Sequence, residues 1–270
     1  MQRKSEKNNL EELYMYNEEQ KEKLGLGTSE KYTRLKKRLS ERTILATLLI
    51  LIAIPITIAF GIFVLDDRKY YFISILIVLY TMIPFFMIFE RRRPQARELI
   101  VISVLAAIAV AGRAAFFMLP QFKPLVAVVI ISGVCFGGEA GFMVGAVSGF
   151  VSNFLFGQGP WTPWQMFAFG IIGFIAGVLF KLGRLKKSRL ALCIYGGITT
   201  FAICGPILNT ASVFMMYSKF SYKAWIACMI SGVPFDFVHA VATVFFLFFI
   251  SQPMIEKLDR IKIKYGLIEP

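Results

Sequence analysis

The chain has 270 residues, of which 57% are hydrophobic and 17% charged, with a mean hydropathy of +0.64 and a formal net charge of +13. Soluble domains carry about 25% charged residues, so this composition excludes an ordinary soluble protein and points to one that crosses a lipid bilayer. The basic residues stand in short clusters between apolar runs, which argues against a nucleic-acid surface and for a role in setting membrane topology.

In chain order, residues 1–42 form a charged tail without the basic start, short apolar core and cleavage site of a secretory signal. Apolar runs near the length of about 20 residues that a spanning helix needs follow at 43–65, 70–89, 98–118, 122–137, 138–156, 164–181, 190–217 and 224–250. The run at 122–137 is short, which suits a tilted or partly re-entrant helix, and Gly205-Pro206 should break the run at 190–217. With the N-terminus in the cytoplasm, 24 of the 30 Lys and Arg fall on the inner side, 5 on the outer side, and Arg113 within a span. That bias predicts cytoplasmic N- and C-termini in the cell membrane. The basic run "ERRRPQAR" at 90–97 divides the chain. The tail and a hairpin at 43–89 precede it; six spans rich in Gly, Ala, Ser and aromatics at 98–250 and a cytoplasmic tail at 251–270 follow. Small residues at this density belong where membrane helices pack closely, so function is expected in the second part.

Small residues recur every fourth position in two of these spans. Ser103, Ala107, Ala111 and Ala115 make one ridge, and Gly137, Gly141, Gly145 and Gly149 make another, with Ser148 and Ser152 beside it. Either ridge can pack the bundle internally or meet another subunit. Arg113 stands about 200° around its helix from Ala111 and Ala115, away from the alanine ridge. A charge within a span either faces protein and water or snorkels to the headgroups.

Asp236 and His239, three apart on the last run, share a helical face and suggest a structural pair, a substrate contact or a hydrolytic dyad. A single histidine excludes a histidine-rich metal site, and no GxSxG turn supplies a nucleophile. Catalytic residues, metal and cofactor are accordingly not expected. The four cysteines lie in or at the ends of apolar segments without ligand spacing and read as packing residues. A GxxxxGK[ST] motif is absent, so energy for uphill movement would come from an ion gradient or a separate subunit. Asn153 and the stretch "GQGPWTPWQ" at 157–165 place aromatic rings and amides between two spans on the outer side, with Asn209 at the same level. Trp161 and Trp164 could stack on or cover a ligand while Gln158, Thr162 and Gln165 hydrogen-bond it; the alternative is an interfacial aromatic belt.

The stretch "GRAAFFMLPQFKPLVAVVIISGVCFGGEAGFMVGAVSGFVSNFLFGQGPWTPWQMFAFGIIGFIAG" at 112–177, with the helix before it, resembles the substrate-binding S components of energy-coupling factor (ECF) vitamin transporters, most nearly those assigned to cobalamin-type substrates. The resemblance covers roughly 98–250. It implies an all-α integral membrane bundle with a six-helix S-component core, here preceded by the extra hairpin and tail. It further implies capture of a vitamin outside the cell and partnership with a transmembrane T component and two ATPase subunits. The family's AxxxA docking motif matches Ala107, Ala111 and Ala115, and its ligand-covering loops match Phe116 to Lys123 and Gly157 to Trp164. Expected substrate contacts are therefore Arg113, Phe116, Phe117, Gln121, Asn153, Gln158, Trp161, Thr162, Trp164, Gln165, Asn209, Asp236 and His239. An S component for another vitamin or micronutrient, an ion-coupled secondary transporter and an intramembrane enzyme using Asp236 and His239 are the competing readings.

Overall fold

The computed structural model describes residues 70–91, 96–217 and 221–265, and every regular element among them is a helix. We number them α1 (Tyr70–Arg91), α2 (Ala96–Ala115), α3 (Leu125–Phe136), α4 (Gly138–Phe156), α5 (Thr162–Lys181), α6 (Arg189–Thr199), α7 (Gly205–Met216) and α8 (Tyr222–Tyr265). A π-helical turn, Thr200–Cys204, joins α6 to α7. The expected tail at 1–42, the first apolar run at 43–65 and residues 92–95 of the basic linker lie outside the described residues.

Among the described residues, five stretches are long and apolar enough to cross a membrane: α2, α4, α5, the 28 residues from Arg189 to Met216, and α8. The chain is a multi-pass membrane protein built as a helical bundle. α3 follows a different logic. All twelve of its residues are buried, and at 1.5 Å per residue it is about 18 Å long, well short of a hydrocarbon core of about 30 Å. It is apolar on every side because protein surrounds it, whereas the spanning helices are apolar on their outer faces because lipid does.

The predicted break in the 190–217 run takes the form of the π turn. Pro206 has no N–H, and its ring crowds the carbonyl four residues earlier, at Ala202. Widening the turn just ahead of Gly205-Pro206 relieves that crowding.

The glycine ridge of α4 lies inside the bundle. A Cβ placed on Gly141 would stand 2.6 Å from both the Cα of Gly133 on α3 and the carbonyl oxygen of Gly173 on α5. One on Gly145 would stand 2.6 Å from the α5 backbone at Phe169 and Gly170. Three helices thus touch backbone to backbone at Gly133, Gly141 and Gly173. Gly137, at φ 93, makes the turn from α3 into α4, a conformation that side-chain-bearing residues rarely adopt.

α1, the described helix of the expected hairpin, packs on this core. Val78 and Met82 are buried with Phe142 and Ala146 of α4, and the Phe86 ring meets Phe142 edge-on at 5.9 Å. α8 departs from expectation at its far end: the predicted span stops at 250, but the helix runs on to Tyr265. Contacts with residues distant in sequence hold the extension. Lys187 Nζ pairs with the Asp259 carboxylate at 2.8 Å, Gln252 Nε2 donates to the Lys187 carbonyl, and Lys262 Nζ donates to the Cys135 carbonyl. The last contact sets a cation on the carbonyl end of α3, where the helix dipole favours it.

Candidate functional site

The last turn of α2 carries Arg113, whose neighbours on the other side of the helix, Ala111 and Ala115, are exposed. Its Nη1 donates to Ser152 Oγ and, at 3.0 Å, to Asn153 Oδ1 on the last turns of α4. The guanidinium carbon lies 4.5 Å from the centroid of the Phe156 ring, and Lys123 Nζ approaches the same ring at 5.1 Å. Partial burial and the charge of Arg113 hold the Lys123 ammonium below the ordinary lysine range.

Asn153 organises the rest. It is 1% exposed, and because arginine can only donate, its carbonyl oxygen must face Arg113. Its amide nitrogen then donates to Thr162 Oγ1 and Gln165 Oε1, each at 2.9 Å. Thr162 donates in turn to Gln158 Oε1, receives the Gly159 N–H, and Gln158 Nε2 closes the set on the Phe150 carbonyl. One buried carboxamide therefore ties α2, α4, the 157–161 loop and the start of α5 together. Such networks fix a unique geometry because any member left unpaired away from water is costly.

The aromatic residues of the same stretch divide. The Trp161 indole packs over Gly159, leaving no room for a side chain there, and its N–H donates to the Gly157 carbonyl at 3.3 Å. Trp164 reaches across to α7 and stacks on Phe214 with ring centres 5.9 Å apart. On the loop after α2, Phe117 is exposed and leans on Phe156, while Phe116 meets Phe246 of α8 edge-on at 5.0 Å. Gln121 is exposed, with φ 57, at the centre of a three-residue γ-turn closed by the Phe122 N–H on the Pro120 carbonyl at 2.8 Å. That turn drives Phe122 back onto Phe245 and Phe246.

The Asp–His spacing on α8 yields two separate contacts. Asp236 accepts from Asn209 Nδ2 of α7 at 2.8 Å, where a side chain on either Gly205 or Gly232 would run into the pair. His239 is buried with its ring edge-on to Phe169 of α5, within electrostatic range of Arg113 and Lys123. Among the described residues the two side chains form no bond to each other.

Of the expected contacts, Arg113, Phe117, Asn153, Gln158, Thr162 and Gln165 therefore converge at one end of the bundle. Trp161 covers its own loop, Trp164 and Phe116 bridge to α7 and α8, Asn209 and Asp236 form a second polar pair, and Gln121 faces outward. Sequence reasoning missed Ser152 and Phe156 as members of this site and placed Lys123 only at the end of a ligand-covering loop. Ser152 and Phe156 are one helical turn apart and flank Asn153, so helical spacing from Asn153 was the available signal. Ala107, Ala111 and Ala115 stay exposed, with Ile100, Val104 and Ile108 alongside them.

The family model described as "ECF transporter, substrate-specific component" matches residues 97–251, more than half of the chain. A UPF0397 protein of Vibrio atlanticus (strain LGP32) is 28% identical over 125 residues, covering 44% of this chain and 68% of that protein. One of Aliivibrio salmonicida (strain LFI1238) is 32% identical over 106 residues, covering 37% and 56%. A UPF0397 protein of Clostridium perfringens (strain ATCC 13124) is 26% identical over 144 residues, covering 45% and 75%. The chain thus spans from a little over half to three quarters of the length of these relatives. No solved structure is significantly similar to it.

Proposed function

Because this chain belongs to the family of ECF transporter substrate-specific components, we propose that it captures a vitamin at the outer face of the cell membrane and hands it to an ATP-driven importer. The observation that carries the reading is the Asn153 network. It joins Arg113 to the loop at 157–161 and the start of α5, so that a charge, several amides and aromatic rings are held at one end of the bundle. The excess of Lys and Arg on the opposite side supports an outward-facing position for that end, with both termini in the cytoplasm. Ligand sites combine apolar walls with a few placed polar groups, and this end offers both.

The substrate we favour is cobalamin or a related corrinoid, a large flat molecule bearing amides, suited to rings at Phe117, Trp161 and Trp164 and to polar groups at Gln158, Thr162 and Gln165. Asn209, Asp236 and His239 extend the polar lining toward α7 and α8. Energy then comes from partners: a T component meeting the bundle along Ala107, Ala111 and Ala115, and two ATPase subunits beneath it. The core that does this is residues 98–250, and α1 packs on it. The separation of Asp236 from His239 favours this reading over an enzymatic dyad.

A vitamin panel scored by thermal shift on the detergent-solubilised chain tests the proposal. A ligand at about 100 times its dissociation constant adds about 2.7 kcal/mol to the folded state, so a corrinoid should raise Tm by several degrees. A corrinoid that leaves Tm unchanged removes the cobalamin assignment, and uptake by cells lacking the T component and ATPases would contradict the partnership.

A further inference from the structure

Two cations meet at Phe156 with no anion between them. Arg113 and Lys123 lie 4.5 and 5.1 Å from that ring, and among the described residues neither pairs with a carboxylate. The groups that do contact Arg113 are neutral, Ser152 and Asn153. The acid expected in the site, Asp236, is engaged by Asn209, and the buried His239 supplies no counter-charge. Like charges in a partly buried setting repel more strongly than they would in water. Arg113 is anchored through Nη1 alone, so Nη2 and Nε make no hydrogen bond within the described protein. A guanidinium edge of this kind matches a carboxylate or phosphate in two-point contact.

Resting on the capture reading above, we infer that the cargo carries an anionic group, a carboxylate or phosphate, that docks between the Arg113 guanidinium and the Lys123 ammonium beside the Phe156 ring. Asn153 is then a positioning residue that holds the guanidinium by one nitrogen and leaves its other edge open. Gln158 is bonded at both ends of its amide, to Thr162 and to the Phe150 carbonyl, and Gln165 accepts from Asn153; these amides are neutral, so the two cations supply the charged recognition groups of the site.

A lipid headgroup phosphate offers the same chemistry, and the test separates the two sources. The full chain in maltoside micelles, at fixed ionic strength, is exposed to matched acid and neutral probes: pantothenate with panthenol, biotin with biotinamide, and cobyrinate with its amide. A parallel arm adds phosphatidylglycerol alone. Acylation of Lys123 by an amine-reactive reagent is followed by peptide mass spectrometry, with Lys223 as internal control, and Tm is recorded in the same samples. At least one acid should slow labelling of Lys123 several-fold and raise Tm, while its neutral partner does neither and Arg113→Gln abolishes both effects. Should Arg113→Gln fail to fold, Lys123→Gln decides by Tm alone: the shift given by the acid must fall to that of the neutral partner. The inference is overturned if a neutral probe raises Tm as much as its acid, in which case capture stands without an anion. It is equally overturned if phosphatidylglycerol protects Lys123 and no acid does. Protection and Tm shift absent with every probe would count against both capture and the anion.

Discussion

The α4 ridge of glycines and the α2 ridge of alanines repeat with the same four-residue spacing, yet one is sealed inside the bundle and the other lies open. Along α4, removal of every side chain brings backbones together, so that a single added carbon at Gly141 or Gly145 would lie 2.6 Å from backbone atoms of neighbouring helices. Along α2, the side-chain methyls remain and nothing in the described chain covers them; Ser103, Ala107, Ala111 and Ala115 are all exposed. Association in lipid rests on packing rather than on escape from water. A glycine ridge therefore suits a permanent internal contact. A shallow alanine ridge suits a surface that a partner meets and leaves.

The strongest test of that contrast is on the sealed side. Gly141→Ala forces three backbones apart, and overpacking of this kind costs about 1–3 kcal/mol and occasionally more. The expected outcome is a large fall in Tm of the solubilised chain. Gly149→Ala should cost less, because the added carbon would stand 3.2 Å from Met166, a contact that a small shift relieves. Equal losses at the two positions would break the account of a graded ridge.

Next in size comes the network that ends the same helix. Asn153→Ala leaves Arg113, Thr162 and Gln165 short of a partner in a buried place, at about 1–3 kcal/mol for the unmet groups. Tm should fall, and capture should weaken further than the stability loss explains, because Arg113 is no longer aimed. A binding titration at a temperature where the variant remains folded separates the two effects.

How far these features were legible in the sequence differs between the two ridges as well. Spacing alone marked both, but it could not say which one faced inward, since a helix that is apolar all round gives no contrast between lipid and protein. Residue type held that information: glycine permits direct backbone contact, whereas alanine keeps a methyl group between the backbones. The all-helical bundle was readable from run length, and the kink from Gly205-Pro206. The continuation of α8 to Tyr265 was not, because its support comes from Lys187 and Cys135, distant in sequence. The site was half legible. Arg113 and Asn153 stood out as polar groups among apolar neighbours. Their bond to each other, and the parting of Asp236 from His239 toward α7 and α5, depend on helix rotation that spacing does not fix.

A smaller effect follows from Lys123, whose surroundings are Arg113, His239 and the Phe156 ring. Its folded pKa lies below the unfolded value, so between the two the unfolded chain binds more protons and stability rises with pH. Capture of an acid moves the opposite way, because it needs the ammonium, and should decline as pH climbs through the lowered pKa, before the ordinary lysine range is reached. Titrating the affinity of an acid probe in wild type and Lys123→Gln checks this; the variant should lose the slope.

The smallest expected change in stability is on the open ridge, and it carries the most about function. Ala111→Leu adds bulk to an exposed position on α2, where substitutions away from packed features usually stay within about 0.5 kcal/mol. Tm and ligand binding by the isolated chain should therefore match wild type. Uptake in cells that hold the T component and ATPases should nevertheless fail, since a leucine fills the groove through which another helix would approach the ridge. A variant with normal uptake would show that the alanine surface meets only lipid, and the difference between the two ridges would then reduce to burial alone.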